Sequence, residues 1–306
     1  MANCLDEYPM KHPAFFAALL LVAPFQGHLG AQTTTNYTHV QDVVYGHKIG
    51  VALTLDVFRP EKQNGAGIIS VISGGWFSNH SGIRVTRFKP YLDRGYVVFA
   101  VVHGSQPKFI IPEILEDMHR AVRFIRRNAS KYGVDPNKLG ITGGSAGGHL
   151  SLCMGTMGRP GSQKAPDPVD RESSAVQAVA CFFPPTDFLN YGAPGEDAVG
   201  VSTLEKFKPA FGPRSDTPEE RQKYGKEISP IYFVTSQMPP TLIVHGDADK
   251  LVPMQQAETF VKRASDVGAT AKLVIKPGVA HGWPKIEDDA LTLADWFDEH
   301  LLGLKK

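Results

Sequence analysis

Ser145 stands inside Gly143-Gly144-Ser145-Ala146-Gly147, directly after the apolar run Leu139-Gly140-Ile141-Thr142. A serine hydroxyl is a poor nucleophile until it is lifted clear of its neighbours and set beside a base. A sharp turn from strand to helix does the lifting, and it tolerates only small residues around it. Gly143, Ala146 and Gly147 meet that demand. The base must be neutral near physiological pH, which points to histidine, and a carboxylate must fix its tautomer. Two later loops supply such groups. His245-Gly246-Asp247-Ala248-Asp249 follows the apolar run Thr241-Leu242-Ile243-Val244, and Pro277-Gly278-Val279-Ala280-His281-Gly282-Trp283 follows the run 271–276. His281 is the candidate base, since the other histidine after position 249, His300, sits near the end of an amphipathic helix. Asp249 is assigned as the acid ahead of Asp247, which follows the Gly246 turn and is expected to bond its own loop. His80 and His103 remain open as pocket-lining groups.

These side chains are far apart in sequence, so a framework must bring them together. Val40–Tyr45 and Leu53–Phe58 alternate and read as a hairpin of half-buried strands, with the polar residues 32–40 a frayed start. Gly67–Ile72 and Tyr96–Val102 are continuous apolar runs, as expected of strands covered on both faces. Between them a helix is expected near 83–93. Ile114, Met118, Ala121, Val122 and Ile125 form one helical stripe behind Pro112. Val176–Phe183 is a further buried strand, followed by a looser stretch, 187–233, read as a lid or pocket wall. In it, Thr217-Pro218-Glu219-Glu220 signals a helix start. Alternation then returns: strand 241–244, helix 254–267, strand 271–276, helix 290–302. Strands alternating with helices imply one α/β domain over 32–306, built on a mostly parallel central sheet with helices on both faces. Reactive groups in such sheets gather at the carboxyl ends of the strands, where all three loops fall.

Composition narrows the setting. A formal net charge of +1 argues against a broad attraction to nucleic acid or anionic membrane, and Arg120, Arg123, Arg126 and Arg127 read as a solvated helix face. Residues 1–31 look like a secretory signal: Lys11 and His12 precede the apolar run Ala14–Ala23, and Gly30-Ala31 offers a cleavage point. The mature chain is therefore expected to be secreted or periplasmic, free of the membrane once the signal is removed. Cys153 and Cys181 read as buried thiols, their spacing matching no metal site. Neither a metal nor a cofactor is called for.

The motifs together resemble an α/β-hydrolase of the hormone-sensitive-lipase-like and feruloyl or acetylxylan esterase-like group, over residues 40 to 302. The resemblance is carried by Leu55-Asp56-Val57-Phe58-Arg59-Pro60, Ser73-Gly74-Gly75-Trp76, Asp135-Pro136-Asn137, the Ser145 motif, Pro185-Thr186-Asp187, His245–Asp249 and Ala280-His281-Gly282. Their Ser, Asp, His order is that of the fold. The resemblance implies a triad of Ser145, Asp249 and His281, with oxyanion N–H groups from Gly74, Gly75 and Ala146. Trp76, Phe77, Phe183 and Trp283 are candidates for the substrate pocket. Two departures stand out: Ile72-Ser73-Gly74-Gly75 stands where the family usually has His-Gly-Gly-Gly, so the histidine is lost, and Gly144 replaces an aspartate common before the serine. Both point toward the secreted carbohydrate-esterase-like branch. The implied activity is a serine carboxylic ester hydrolase working through an acyl-enzyme on short acyl or feruloyl esters, polysaccharide esters included. The alternatives are a prolyl-oligopeptidase-like serine peptidase, for which no propeller is seen, and a catalytically inactive hydrolase-fold binding protein.

Overall fold

A computed structural model describes residues 36–305; the signal reading of residues 1–31 falls outside them. The strands are β1 (Tyr37–Lys48), β2 (Val51–Pro60), β3 (Gly67–Ile72), β4 (Val97–Val102), β5 (Leu139–Thr142), β6 (Ala178–Phe182), β7 (Thr241–Gly246) and β8 (Ala271–Lys276). They form one sheet in the order β1-β2-β4-β3-β5-β6-β7-β8. β1 and β2 run antiparallel to their neighbours, and every pairing from β4 through β8 is parallel. The hairpin is longer than its alternation suggested. Residues 37–40, expected to fray, pair with Pro60–Val57, because the backbone partners of β2 extend that far.

The helices are α1 (Lys89–Leu92), α2 (Ile111–Arg127), α3 (Ala146–Met157), α4 (Lys208–Phe211), α5 (Pro218–Ile228), α6 (Gln255–Asp266) and α7 (Ile286–Leu302). The stretch near 83–93 yields only short turns and α1, a single turn behind Pro90. Strand side chains alternate between two cores. In β4, Val97, Phe99 and Val101 join Ile114 and Met118 of α2, Leu150 of α3 and Phe260 of α6, whereas Val98 and Ala100 join Leu92 of α1 and Leu293 and Phe297 of α7. The apolar stripe of α2, Ile114 to Ile125, is fully buried. Of its arginines Arg127 is exposed, but Arg120 and Arg126 are not part of a solvated face. Arg120 pairs with Asp167 and Asp170, and Arg126 donates to the carbonyls of Ser173, Pro136 and Ala175, strapping the loop 159–175 to the helix. Among the described residues no helix is long and apolar enough to cross a membrane.

The order in which strands are added to the sheet reverses between β3 and β5. The chain leaves β3 toward β4 and returns to lay β5 on the other side. The loops after β3 and β5 therefore open side by side, which is the crevice such a sheet offers a ligand.

Candidate active site

The turn after β5 holds Ser145 at φ 55°, ψ −121°, a conformation costly for a residue with a side chain. The surroundings leave it no alternative. The Ser145 N–H donates to the Phe182 carbonyl at 3.0 Å, and its own carbonyl accepts from the His149 N–H at 2.8 Å as α3 begins. Space is closed as well: a methyl group on Gly143 would sit 2.5 Å from the Gly147 backbone, and one on Gly147 would sit 2.9 Å from the Val71 carbonyl oxygen. That second contact seats the serine turn directly against the end of β3.

Across the crevice, Ser145 Oγ lies 3.0 Å from His281 Nε2, and His281 Nδ1 lies 2.7 Å from Asp249 Oδ2. The other carboxylate oxygen of Asp249 accepts the N–H groups of Leu251 and Val252, both at 2.9 Å. His245, buried at the end of β7, donates through Nε2 to the Val252 carbonyl at 2.9 Å and approaches Asp249 Oδ2 at 3.4 Å. Burial alone would raise the Asp249 carboxyl, but hydrogen bonds from His245, His281 and the Val252 backbone hold it well below the usual carboxylate range. An ionised Asp249 accepts from Nδ1–H, so the Nε2 lone pair of His281 faces the serine hydroxyl. The Phe183 ring lies against the imidazole with centroids 4.5 Å apart. Asp247 does not bond its own loop as expected. It accepts the Gly278 N–H at 2.6 Å, because β7 and β8 end in register and the loop carrying His281 lies beside it.

The loop after β3 is a tight turn. Gly74 and Phe77 exchange both backbone hydrogen bonds, and Gly75 and Trp76 between them have φ of 56° and 59°. This corrects one assignment: the Gly74 N–H is already donated to the Phe77 carbonyl at 2.9 Å and is not available to an oxyanion. The N–H groups of Gly75 and Ala146 have no acceptor among the described residues. Trp76 is also misassigned. It is 1% exposed and packs among Phe188, Phe207 and Phe211, where its indole N–H donates to His149 Nδ1 at 3.1 Å. His149 Nε2 then donates to the Ile228 carbonyl at 2.7 Å, so one imidazole ties the turn to α3 and the end of α5. Burial lowers this histidine to about 4, keeping it neutral.

A cavity of about 620 Å³ opens beside Ser145, with Phe77, Phe183 and Trp283 in its lining. Trp283 is anchored by its indole N–H, which donates to Asp289 at 2.7 Å. Neither His80 nor His103 lines the cavity, and no residue of 187–233 does. That segment instead buries Phe188, Val199, Phe211, Tyr224 and Ile228 against the α2–α3 side of the sheet. Sequence reasoning missed His245, whose signal was its position four residues before Asp249, and Arg84 and Arg87 in the cavity lining. Cys153 and Cys181 are buried and unpaired, as read from the sequence, and burial pushes both thiols upward.

The family model described as BD-FAE matches residues 55–263, more than half of the chain. The chain belongs to the BD-FAE family. Among curated proteins, this BD-FAE chain is 30% identical over 238 residues to a probable carboxylic ester hydrolase, LipM, of Mycobacterium tuberculosis, covering 76% of the chain and 53% of that protein. It is 29% identical to the esterase LipC of the same organism, covering 84% and 63%. It thus spans little more than half the length of these relatives. Among solved structures, it superposes with a TM-score of 0.73 on a truncated carbohydrate esterase from gut microbiota, at 29% identity over 89% of this chain and 99% of that one. A thermophilic esterase from Thermogutta terrifontis gives a TM-score of 0.66 at 26% identity, covering 87% and 91%. The BD-FAE chain has the α/β-hydrolase fold that its motifs implied.

Proposed function

We propose that this BD-FAE chain is an exported carboxylic ester hydrolase acting through an acyl-enzyme. The reading rests on one observation: Ser145 Oγ, His281 Nε2 and Nδ1, and Asp249 Oδ2 stand in an unbroken line of hydrogen-bond contacts at 3.0 and 2.7 Å. In this reading Ser145 Oγ attacks the ester carbonyl carbon while its proton passes to His281 Nε2. The tetrahedral oxyanion is received by the N–H groups of Ala146 and Gly75. Collapse breaks the bond to the alcohol, which leaves with the proton from Nε2. A water molecule then attacks the acyl-serine, gives its proton to Nε2, and the acid departs as Ser145 recovers its hydrogen. Asp249 stays ionised throughout and stabilises the imidazolium. Each oxyanion donor contributes about 3–4 kcal/mol to the barrier in sites of this kind.

The substrates proposed are short acyl or feruloyl esters, including those on polysaccharides. The relatives known as esterases and the open cavity beside Ser145 support this. Acetyl, butyryl, octanoyl and feruloyl esters, with a peptide control, sort the acyl preference and the peptidase alternative. Hydrolysis of 4-nitrophenyl acetate is the primary test. Ser145→Ala will abolish turnover with unchanged circular dichroism, and chelators will leave the wild type active. Undiminished turnover by the variant refutes the assignment. Export is tested separately by sequencing the amino terminus of secreted protein, expected to follow Ala31.

A further inference from the structure

The cavity beside Ser145 is not uniform. Its lining joins the rings of Phe88, Tyr91, Phe182, Phe183 and Trp283, four of them buried, to two exposed guanidinium groups, Arg84 and Arg87. One carboxylate, Glu287, also lines it and lies 3.7 Å from Arg87 Nε, a long and solvent-exposed pairing. The Arg84 side chain has neither a hydrogen bond nor an ion pair among the described residues, although a chain of net charge +1 with 31 acidic residues has carboxylates to offer. The remaining charge in the lining is therefore one uncompensated guanidinium. Other arginines are spent on structure, Arg120 on Asp167 and Asp170 and Arg94 on Asp295 and Asp298. An unspent guanidinium in the lining of an aromatic cavity is suited to a planar monoanion, because its donor fork matches a carboxylate.

We infer that the substrates carry a carboxylate group besides the ester: an aromatic or aliphatic portion lies against the rings, and the free carboxylate meets Arg84, with Arg87 beside it. This rests on the ester hydrolase reading and narrows it to acidic esters. The carboxylate belongs to either the alcohol or the acyl part, and two substrate pairs tell them apart. One pair is 4-acetoxybenzoate against phenyl acetate. The other is mono-4-nitrophenyl adipate against 4-nitrophenyl hexanoate. In at least one pair the anionic ester is expected to have a KM about threefold or more below its neutral partner at low salt, with the advantage shrinking in about 0.5 M NaCl as charges are screened. Arg84→Gln will lower the anionic-to-neutral ratio of kcat/KM about threefold or more, and Arg84→Glu will invert it. Binding offers a readout independent of turnover: Ser145→Ala, titrated calorimetrically, is expected to bind 3-phenylpropionate more tightly than 3-phenylpropan-1-ol. Equal binding of the two, or a loss in Arg84→Gln that is the same for anionic and neutral esters, overturns the inference while leaving the ester hydrolase reading intact. If phenylpropionate binds preferentially but no ester is cleaved, the hydrolase reading falls and the anion-selective cavity stands.

Discussion

The hydroxyl of Ser145 and the imidazole of His281 reach the same point by different means. The serine arm, residues 143–148, is held by exclusion of space: carbonyls approach Gly143 and Gly147 so closely that no side chain fits, and the serine accepts an unfavourable backbone conformation in return for exposure. The histidine arm, residues 245–282, is held by hydrogen bonds. Asp249 gathers two backbone N–H groups and two imidazoles, Asp247 crosses to Gly278, and Phe183 supports the ring. A site pinned sterically is broken by a methyl group and is indifferent to charge. One pinned by hydrogen bonds tolerates small changes of volume and fails when a donor or acceptor is lost.

Among changes that keep the nucleophile, the largest effect is expected on the histidine arm. Asp249→Asn keeps the shape but offers Nδ1 an amide in place of a carboxylate. A loss of about 10⁴ in kcat is anticipated by analogy with serine hydrolases altered at this position. Retention of a tenth of the activity would make Asp249 a structural residue. On the serine arm, Gly147→Ala pushes a methyl group into the Val71 carbonyl, so about 2 kcal/mol or more of stability is lost, read from chemical denaturation. Ser145→Gly sharpens the contrast by moving in the opposite direction. It removes turnover while relieving a strain of about 1–3 kcal/mol, so its melting temperature will lie above that of Ser145→Ala. Equal melting temperatures would show that the turn stores no strain.

How far the two arms could be read beforehand follows from what holds them. Small residues around Ser145 and the loop position of His281 are visible in sequence, because both requirements are local. The parallel strands were legible for a similar reason: continuous apolar runs such as Val97–Val102 leave few alternatives to a doubly covered strand. The Gly74 N–H was misjudged because its use depends on a hydrogen bond closed within one turn, and composition cannot distinguish a free N–H from a bonded one. Trp76 was misjudged because its burial depends on Phe188, Phe207 and Phe211, more than a hundred positions away. The segment 187–233 reads as irregular because its packing is carried by single aromatic and aliphatic residues dispersed among polar ones, with little periodicity to announce the buried face.

Acid tests the brace beneath the turn after β3. His103 and His149 are both lowered to about 4 by burial, against about 6.5 in an unfolded chain. Their folded-state values are depressed, so the stability they permit is complete above about pH 6.5 and is lost progressively as pH falls toward 4. Over that window the unfolded chain binds protons that the folded one refuses. The slope of unfolding free energy against pH will approach about 1.4 kcal/mol per unit for each histidine. Replacing His149 with Asn will remove one histidine's share of the slope. An unchanged slope in that variant would mean that His149 titrates normally and that its bond from Trp76 is not maintained.

The smallest effect concerns the second acid of the histidine arm. Asp247 and Asp249 stand two residues apart, yet Asp249 is buried at the imidazole whereas Asp247 meets only the Gly278 N–H in an exposed loop. Asp247→Ala deletes that acceptor and leaves an N–H that water can reach, so the loss is about 1 kcal/mol or less. The melting temperature is expected to fall by a few degrees, with kcat within about threefold of wild type. The distinction lies in the chemistry rather than the size of the change. If Asp247→Ala lowers kcat as severely as Asp249→Ala, the loop after β8 depends on its contact with Asp247 to present His281, and the arm is less rigid than its hydrogen bonds suggest. If Asp247→Ala is silent, the link from Asp249 to His281 suffices to hold the imidazole, and the acid that matters is the one water does not reach.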